Sequence, residues 1–290
     1  MIIKKTSYKQ FELAENPLWL KKNNSFYWVD IEKGDLYKYD LNINKASCIL
    51  STNYRIGAFV FDKKDNIILL TNKGLIKVIN NDENYKLDNH FLIKYELHNA
   101  RFNDAICDNI GRIIAGIKTD NNSVEGKLII FEKNKSPRVL LKNIRISNGM
   151  GFSKDNKSFY HTDSLERTIF KYEYDLSNAT LSNKKIFYQN NGIGVVDGMT
   201  VDNKDNIFSS IWGEGKIIEI NKDTSTITNT IKLDCTNSSS LSFGGNNLDK
   251  LLVTSALENL SNQEITKNDG IVYLIENFYT KGKEEYKAKI

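Results

Sequence analysis

Apolar residues in this chain fall into short runs bounded by Asn, Asp, Gly and Lys, and the runs recur in pairs. The leading runs are Phe26-Tyr27-Trp28-Val29, Ile67-Ile68-Leu69-Leu70, Ile113-Ile114-Ala115, Phe159-Tyr160-His161, Ile207-Phe208-Ser209 and Leu251-Leu252-Val253-Thr254. Each is followed, after a polar loop, by a second run. These are Leu36-Tyr37-Lys38-Tyr39-Asp40, Leu75-Ile76-Lys77-Val78, Leu128-Ile129-Ile130-Phe131, Ile169-Phe170-Lys171-Tyr172, Ile217-Ile218-Glu219-Ile220 and Ile271-Val272-Tyr273-Leu274. Short or alternating apolar runs between turn residues predict β-strands and hairpins. No window carries the apolar stripe of a helix.

The turn before each leading run is itself repeated, as apolar–Asp/Ser–x–x–Asp/Asn/Gly–Asn/Arg/Lys. It reads Phe61-Asp62-Lys63-Lys64-Asp65-Asn66, Cys107-Asp108-Asn109-Ile110-Gly111-Arg112, Phe152-Ser153-Lys154-Asp155-Asn156-Lys157 and Val201-Asp202-Asn203-Lys204-Asp205-Asn206. Leu20-Lys21-Lys22-Asn23-Asn24-Ser25 is a weaker copy, and Asn246-Asn247-Leu248-Asp249-Lys250 a degenerate one. A period of about 45 residues is that of one propeller blade. Six copies in 290 residues predict an all-β fold, a six-bladed β-propeller with four-stranded antiparallel blades, with residues 1–290 as a single domain. A β-sandwich or two stacked all-β domains is the alternative, and the regular period argues against it. Ile2 to Phe11 precede the first copy and are expected to complete the last blade, closing the ring and removing its exposed edges.

Composition changes this picture little. Hydrophobic residues make up 40% and charged residues 26%, as in ordinary globular chains. Only 2 Pro are present; Lys, Asn and Ile are abundant, so many surface Asn and Lys need no functional explanation. The net charge of +4 comes without a basic, aromatic-studded stripe, so nucleic acid is not expected as a partner. No apolar run approaches the ~20 residues of a membrane span, and Met1-Ile2-Ile3-Lys4-Lys5 lacks a signal-peptide core. The 3 Cys (Cys48, Cys107, Cys235) are unpaired in spacing, which argues against a disulfide framework and for a reducing, cytoplasmic setting. The 3 His (His90, His98, His161) have no metal-ligand spacing, and no nucleophile elbow or phosphate loop is present. Oligomeric state leaves no signal.

The chemistry therefore rests on oxygen ligands and an arginine. Three polar motifs precede successive repeat turns: Arg101-Phe102-Asn103-Asp104, Ser147-Asn148-Gly149-Met150 and Val196-Asp197-Gly198-Met199. Glu15, in Ala14-Glu15-Asn16-Pro17-Leu18-Trp19, sits comparably before blade one. Segments entering the innermost strands of a propeller surround one mouth of its channel. A Glu, an Asn and an Asp converging there make an all-oxygen site for Ca²⁺, Mg²⁺ or Mn²⁺. Each residue could instead only cap a turn; recurrence at one place in the repeat weighs against that.

These motifs, with Tyr27-Trp28-Val29-Asp30-Ile31, Tyr160-His161-Thr162-Asp163-Ser164 and Phe243-Gly244-Gly245 in the same order and spacing, resemble the SMP-30/gluconolactonase/luciferin-regenerating family, which includes regucalcin. The resemblance runs from Glu15 to Tyr273. It implies a propeller with one divalent cation (Ca, Mg, Mn or Zn) in its channel, ligated by Glu15, Asn148 and Asp197. Arg101 and Asn103 match the substrate-contacting pair. The implied activity is hydrolysis of a small-molecule sugar lactone, in which the metal polarises the carbonyl and acidifies water. Asp197 would also take the proton, and Arg101 would hold substrate oxygens with its fork of donors.

The chain departs from the family pattern at Asn16 and Ala105, where small or Gly residues are usual, and at Ile117-Lys118, where Thr-Met is usual. The family's acidic sugar contact falls in the following loop, with candidates Asp120, Asn121 and Glu125. Lys118 is read as a solvent-exposed lysine; the alternative is a contact to a substrate carboxylate or phosphate. Two non-enzymatic readings stand beside the hydrolase: a propeller binding module, suggested by the receptor-like Tyr27-Trp28-Val29-Asp30, and a calcium-binding regulatory protein.

Overall fold

The computed structural model describes residues 1–290 and is built from 24 strands in six four-stranded antiparallel sheets. There is no α-helix, only a single 3-10 turn at Lys21–Asn23, and hence no helix long and apolar enough to cross a membrane. The innermost strands of blades one to six are Ala14–Leu20, Ile56–Phe61, Ala100–Cys107, Ser147–Phe152, Val195–Val201 and Asn237–Gly244. Each packs against the next, and the sixth returns to the first, so the sheets form a β-propeller around a central channel.

The leading runs are the second strands of the blades and the following runs their third strands, with one shift. In blade six the third strand is Tyr273–Glu276, a little later than the apolar run that predicts it. The repeat turn joins the first strand to the second, and its spacing has a mechanical cause. Asp62, Asp108 and Asp202 each accept backbone N–H groups two and four residues on, at 2.8–3.1 Å. The residue three positions after the turn's polar residue is left-handed every time: Asp65 at φ 67°, Gly111 at 97°, Asn156 at 59° and Asp205 at 70°. Asp, Asn and Gly tolerate that conformation best. The weak copy obeys the rule through Asn24 (φ 47°); the degenerate one also has a left-handed residue, Leu248 (φ 55°), but three positions after Gly245.

Both chain ends are used. Ile2–Lys5 pairs antiparallel with Tyr273–Glu276 and supplies the outer strand of blade six, as the leftover first segment predicts. The C-terminal residues run across the far face of the ring. Asn203 N–H reaches the Lys281 carbonyl, Ala288 N–H reaches Phe61 and Lys289 N–H reaches Gly111, at 2.9, 2.8 and 2.7 Å. The Lys283 ammonium bonds the Phe152 carbonyl. Glu285 and Tyr286 line the small far end of the channel, which leaves only about 50 Å³ there.

The apolar core lies between neighbouring blades. Between blades one and two it is built from Tyr27, Val29, Leu36, Phe59, Phe61 and Leu69, all essentially inaccessible. At the axis the strands approach so closely that side chains must be omitted. A Cβ on Gly57 would lie 1.9 Å from the Phe102 carbonyl oxygen of the next blade. Gly57→Ala is therefore expected to cost about 3 kcal/mol or more, because overpacking here displaces backbone. Urea unfolding measures this directly, and an unchanged midpoint would mean that blades two and three can part without penalty.

Candidate active site at the mouth of the channel

All six innermost strands carry a register shift near the same mouth. The shifts fall at Glu15/Leu18, Ile56/Ala58, Phe102/Asp104, Asn148/Met150, Val196/Met199 and Ser238/Leu241. A bulge bends the strand and re-aims one side chain. Glu15, Asn103, Asn148 and Asp197 all sit at or inside these shifts. They thus lie within the innermost strands rather than ahead of them, and each is turned toward the axis by the bulge it occupies.

Backbone clamps fix the approach to two of these strands. The Asp30 carboxylate accepts the N–H groups of Glu12 and Leu13 at 3.2 and 3.1 Å, just before Glu15. Asp163 accepts those of Arg145 and Ile146 at 3.0 and 3.1 Å, just before Asn148. Both aspartates stand in the family-like motifs, and this is their work. Gly149 and Gly198 leave room for it. A Cβ on Gly149 would meet the Asp197 carbonyl at 2.6 Å, and one on Gly198 would meet the Ser240 hydroxyl at 2.2 Å.

The result is a cavity of about 550 Å³ lined by Glu15, Arg101, Asn103, Asn148, Asp197 and Lys118, among others. The Asn103 amide donates to the Asn148 Oδ1 and to the Ser147 carbonyl, at 2.8 and 2.7 Å. The Asn148 amide donates to Ser164 Oγ at 2.9 Å, which leaves its oxygen on the Asn103 side. Arg101, 2% exposed, donates to the Phe102 carbonyl at 3.2 Å and to Asn103 Oδ1, while its Nε has no partner.

Charge is the unresolved quantity of this cavity. Glu15 and Asp197 are buried together. Desolvation, then the mutual repulsion of neighbouring carboxylates, pushes both well above the usual carboxylate range. One oxygen of Asp197 is buried with no hydrogen-bond partner. No three His, Cys, Asp or Glu converge anywhere; the donors here are two carboxylates with asparagine amides. Two carboxylates, one with an unpartnered oxygen, and the Asn148 amide oxygen with a lone pair beyond its Asn103 bond fit a hard divalent cation.

The remaining expectations divide. Asp120 lines the rim but is tied to Arg55 at 2.7 Å, and Arg55 also holds Glu32 at 2.8 Å. Asn121 is exposed, accepts the Ser123 N–H at 3.1 Å and does not line the cavity. Glu125 is exposed as well. Lys118 is the correction: it is half-buried and faces the cavity rather than open solvent. Asp104 faces the other end of the channel, where Asn16 Nδ2 donates to it at 3.3 Å. His161 is a packing residue. Its Nε2 lies 2.9 Å from Ser147 Oγ, and burial pushes its pKa down to about 3. Arg55, Glu258 and Trp212, which the repeat does not mark, also line the cavity.

The sequence model of the SMP-30/gluconolactonase/LRE-like region matches residues 13–257. Pentonolactonase XacC of Haloferax volcanii is 29% identical over 246 residues, covering 84% of this chain and 81% of that protein. Regucalcin of Xenopus laevis is 25% identical over 281 residues, covering 94% and 93%. The crystal structure of a calcium-binding protein, regucalcin, from Agrobacterium tumefaciens superposes with a TM-score of 0.90 at 21% identity, covering 99% of this chain and 97% of that one. The chain belongs to the SMP-30/gluconolactonase/LRE-like family.

The buried carboxyls set a pH dependence. Burial raises Asp104 to about 7, and Glu15 and Asp197 are raised too. An acid held protonated by the fold contributes stability that is complete below its unfolded value, about 4. That contribution is lost as pH rises through the folded value. In EDTA, the melting temperature is expected to fall between about pH 4 and pH 7. Asp104→Asn should flatten that fall by on the order of 4 kcal/mol, the equivalent of a shift to about 7. A flat profile for the parent chain would mean that these groups ionise freely.

Proposed function

From that membership we propose that this chain is a metal-dependent sugar-lactone hydrolase, acting as one domain, with one divalent cation held by Glu15, Asn148 and Asp197. The observation that carries the proposal is the pair of buried carboxylates beside an unpartnered Asp197 oxygen, in a cavity that also holds an incompletely bonded arginine. A cation bound there polarises a carbonyl oxygen and lowers the pKa of water. A lactonase among the relatives supports the reaction class; a calcium-binding structural neighbour supports only that the fold can hold such an ion.

The chain's own residues divide the work. Asp197, beside the ion site, accepts the proton of the attacking water. Arg101 offers the donors its neighbours leave free to the substrate's ring and hydroxyl oxygens. Asn103 holds Asn148 in place with one amide hydrogen and fixes the arginine with its oxygen. Asp120, at the rim, is placed to exchange its pairing with Arg55 for a sugar hydroxyl. The three free thiols fit a reducing compartment, and we assign the cytoplasm.

Lactone opening releases an acid, so a pH-indicator assay on glucono-1,5-lactone and other aldonolactones reads the reaction. Turnover is expected to vanish with EDTA and return unequally with Mn²⁺, Zn²⁺, Mg²⁺ and Ca²⁺, with Zn²⁺ or Mn²⁺ exceeding Ca²⁺. Asp197→Ala should abolish it. No turnover across five- and six-membered sugar lactones, with the ion demonstrably bound, would replace the enzyme by a binding module.

Arg101→Ala separates substrate positioning from ion binding. Metal affinity should stay within a few-fold while kcat/KM falls roughly 10²-fold, about 2.7 kcal/mol of transition-state stabilisation. Arg101→Lys should recover little, since an ammonium lacks the fork. Equal loss of metal binding would mean that the arginine supports the ligand set instead.

A further inference from the structure

Lys118 is directly opposite Arg101 across the first two strands of blade three. Partners in register point their side chains to the same face, and like charges placed so are destabilising. Both residues line the one cavity. Neither has a close carboxylate of its own, although Glu15 and Asp197 line the same cavity. The nearest carboxylate to Arg101 is Glu32, 3.8 Å from its Nε, and Glu32 is already held by Arg55 at 2.8 Å. Lys118 forms no ion pair within 4.0 Å, although Glu258, just past the second strand of blade six, lines the same cavity. Burial and the facing guanidinium both press its ammonium toward the neutral form. Asp120, also at the rim, is taken by Arg55. Two cations are therefore held side by side, half or fully out of water, with donors left over. That arrangement costs stability unless an anion completes it.

We propose that Lys118 and Arg101 form an anion subsite, and that the lactone this site takes carries a carboxylate or phosphate on the substituent turned toward blade three. The inference rests on the hydrolase reading and names its substrate class. The oxygen donors of Glu15, Asn148 and Asp197 lie on blades one, four and five. The charged substituent and the reacting carbonyl are thus read by different walls of the cavity. A guanidinium and an ammonium together satisfy the several acceptor oxygens of either group. A neutral aldonolactone would offer Arg101 only hydroxyl oxygens and leave the Lys118 ammonium without an anion, which is how a buried polar site disfavours a substrate lacking its partner.

The test compares kcat/KM for a neutral aldonolactone, a lactone bearing a free carboxylate and a phosphorylated aldonolactone, in the parent chain, Lys118→Met and Lys118→Arg. The parent is expected to prefer at least one charged lactone by roughly 10-fold or more. That ratio should collapse by roughly 10-fold in Lys118→Met, mainly through KM, and survive in Lys118→Arg. Whichever charged lactone shows the effect identifies the group. A second arm needs no turnover. Calorimetric titration with an aldarate and a phosphoaldonate, against a singly charged aldonate, should show tighter binding of the dianions, lost in Lys118→Met. Lactone turnover with no charged preference, or a ratio unchanged in Lys118→Met, overturns the subsite and leaves the hydrolase standing. Dianion binding lost in Lys118→Met with no lactone turned over upholds the subsite and removes the hydrolase.

Discussion

Six strands must converge on one axis without filling it, and most of the molecule follows from how that is done. Each innermost strand breaks its register at the same height. The break does two things. It lets the strands draw together at positions where a Cβ would collide, as at Gly57, Gly149 and Gly198. It also turns a neighbouring side chain inward, which is how residues far apart in sequence share one cavity. A regular strand would send alternate side chains into the two faces of its own blade and leave the channel bare.

The same convergence exposes backbone groups that need partners, and polar side chains from adjacent blades supply them. Asn16, at φ 48°, accepts the Phe59 N–H at 2.7 Å and reaches Asp104 of blade three. Ser239 donates to the Ala14 carbonyl at 2.6 Å, joining blade six to blade one. Asn103 joins blade three to blade four. Asn16 departs from the family pattern, and the structure supplies its reason: an amide at this left-handed position bridges three blades where a smaller residue could not. The ring is thus stitched at its centre by hydrogen bonds and between its blades by apolar contact, and the two sets of forces act on different radii.

Against that background the open mouth is electrostatically unfinished. Carboxylates and cations crowd together there, and one atom each of Arg101 and Asp197 is buried without a partner. The far mouth is the opposite case, crossed by the C-terminal residues and anchored to several blades. A channel closed at one end gives solvent and ligand a single approach. Functional groups held at an open end, with the other end closed, are what a binding cavity on a rigid scaffold requires.

The fold was legible in the chain because its signals are local. The turn needs an acceptor at one position and a left-handed residue three places later, and the second and third strands read as apolar runs between such turns. The closing role of the first segment followed from the need to cover an edge. The candidate site was legible as residue types, since Glu15, Asn148, Asp197, Arg101 and Asn103 recur at one place in the repeat. What only the tertiary structure decided is direction. Whether a polar residue in a strand faces a blade, the channel mouth or its far end depends on the bulge beside it, and a bulge is a relation between two strands. Lys118 therefore read as an exposed lysine, yet pairing across blade three sets it against Arg101 inside the cavity. Asp104, one residue from Asn103, turns to the other end of the channel. Asp120 and Asn121, adjacent in one loop, part because Arg55, distant in sequence, reaches only the first.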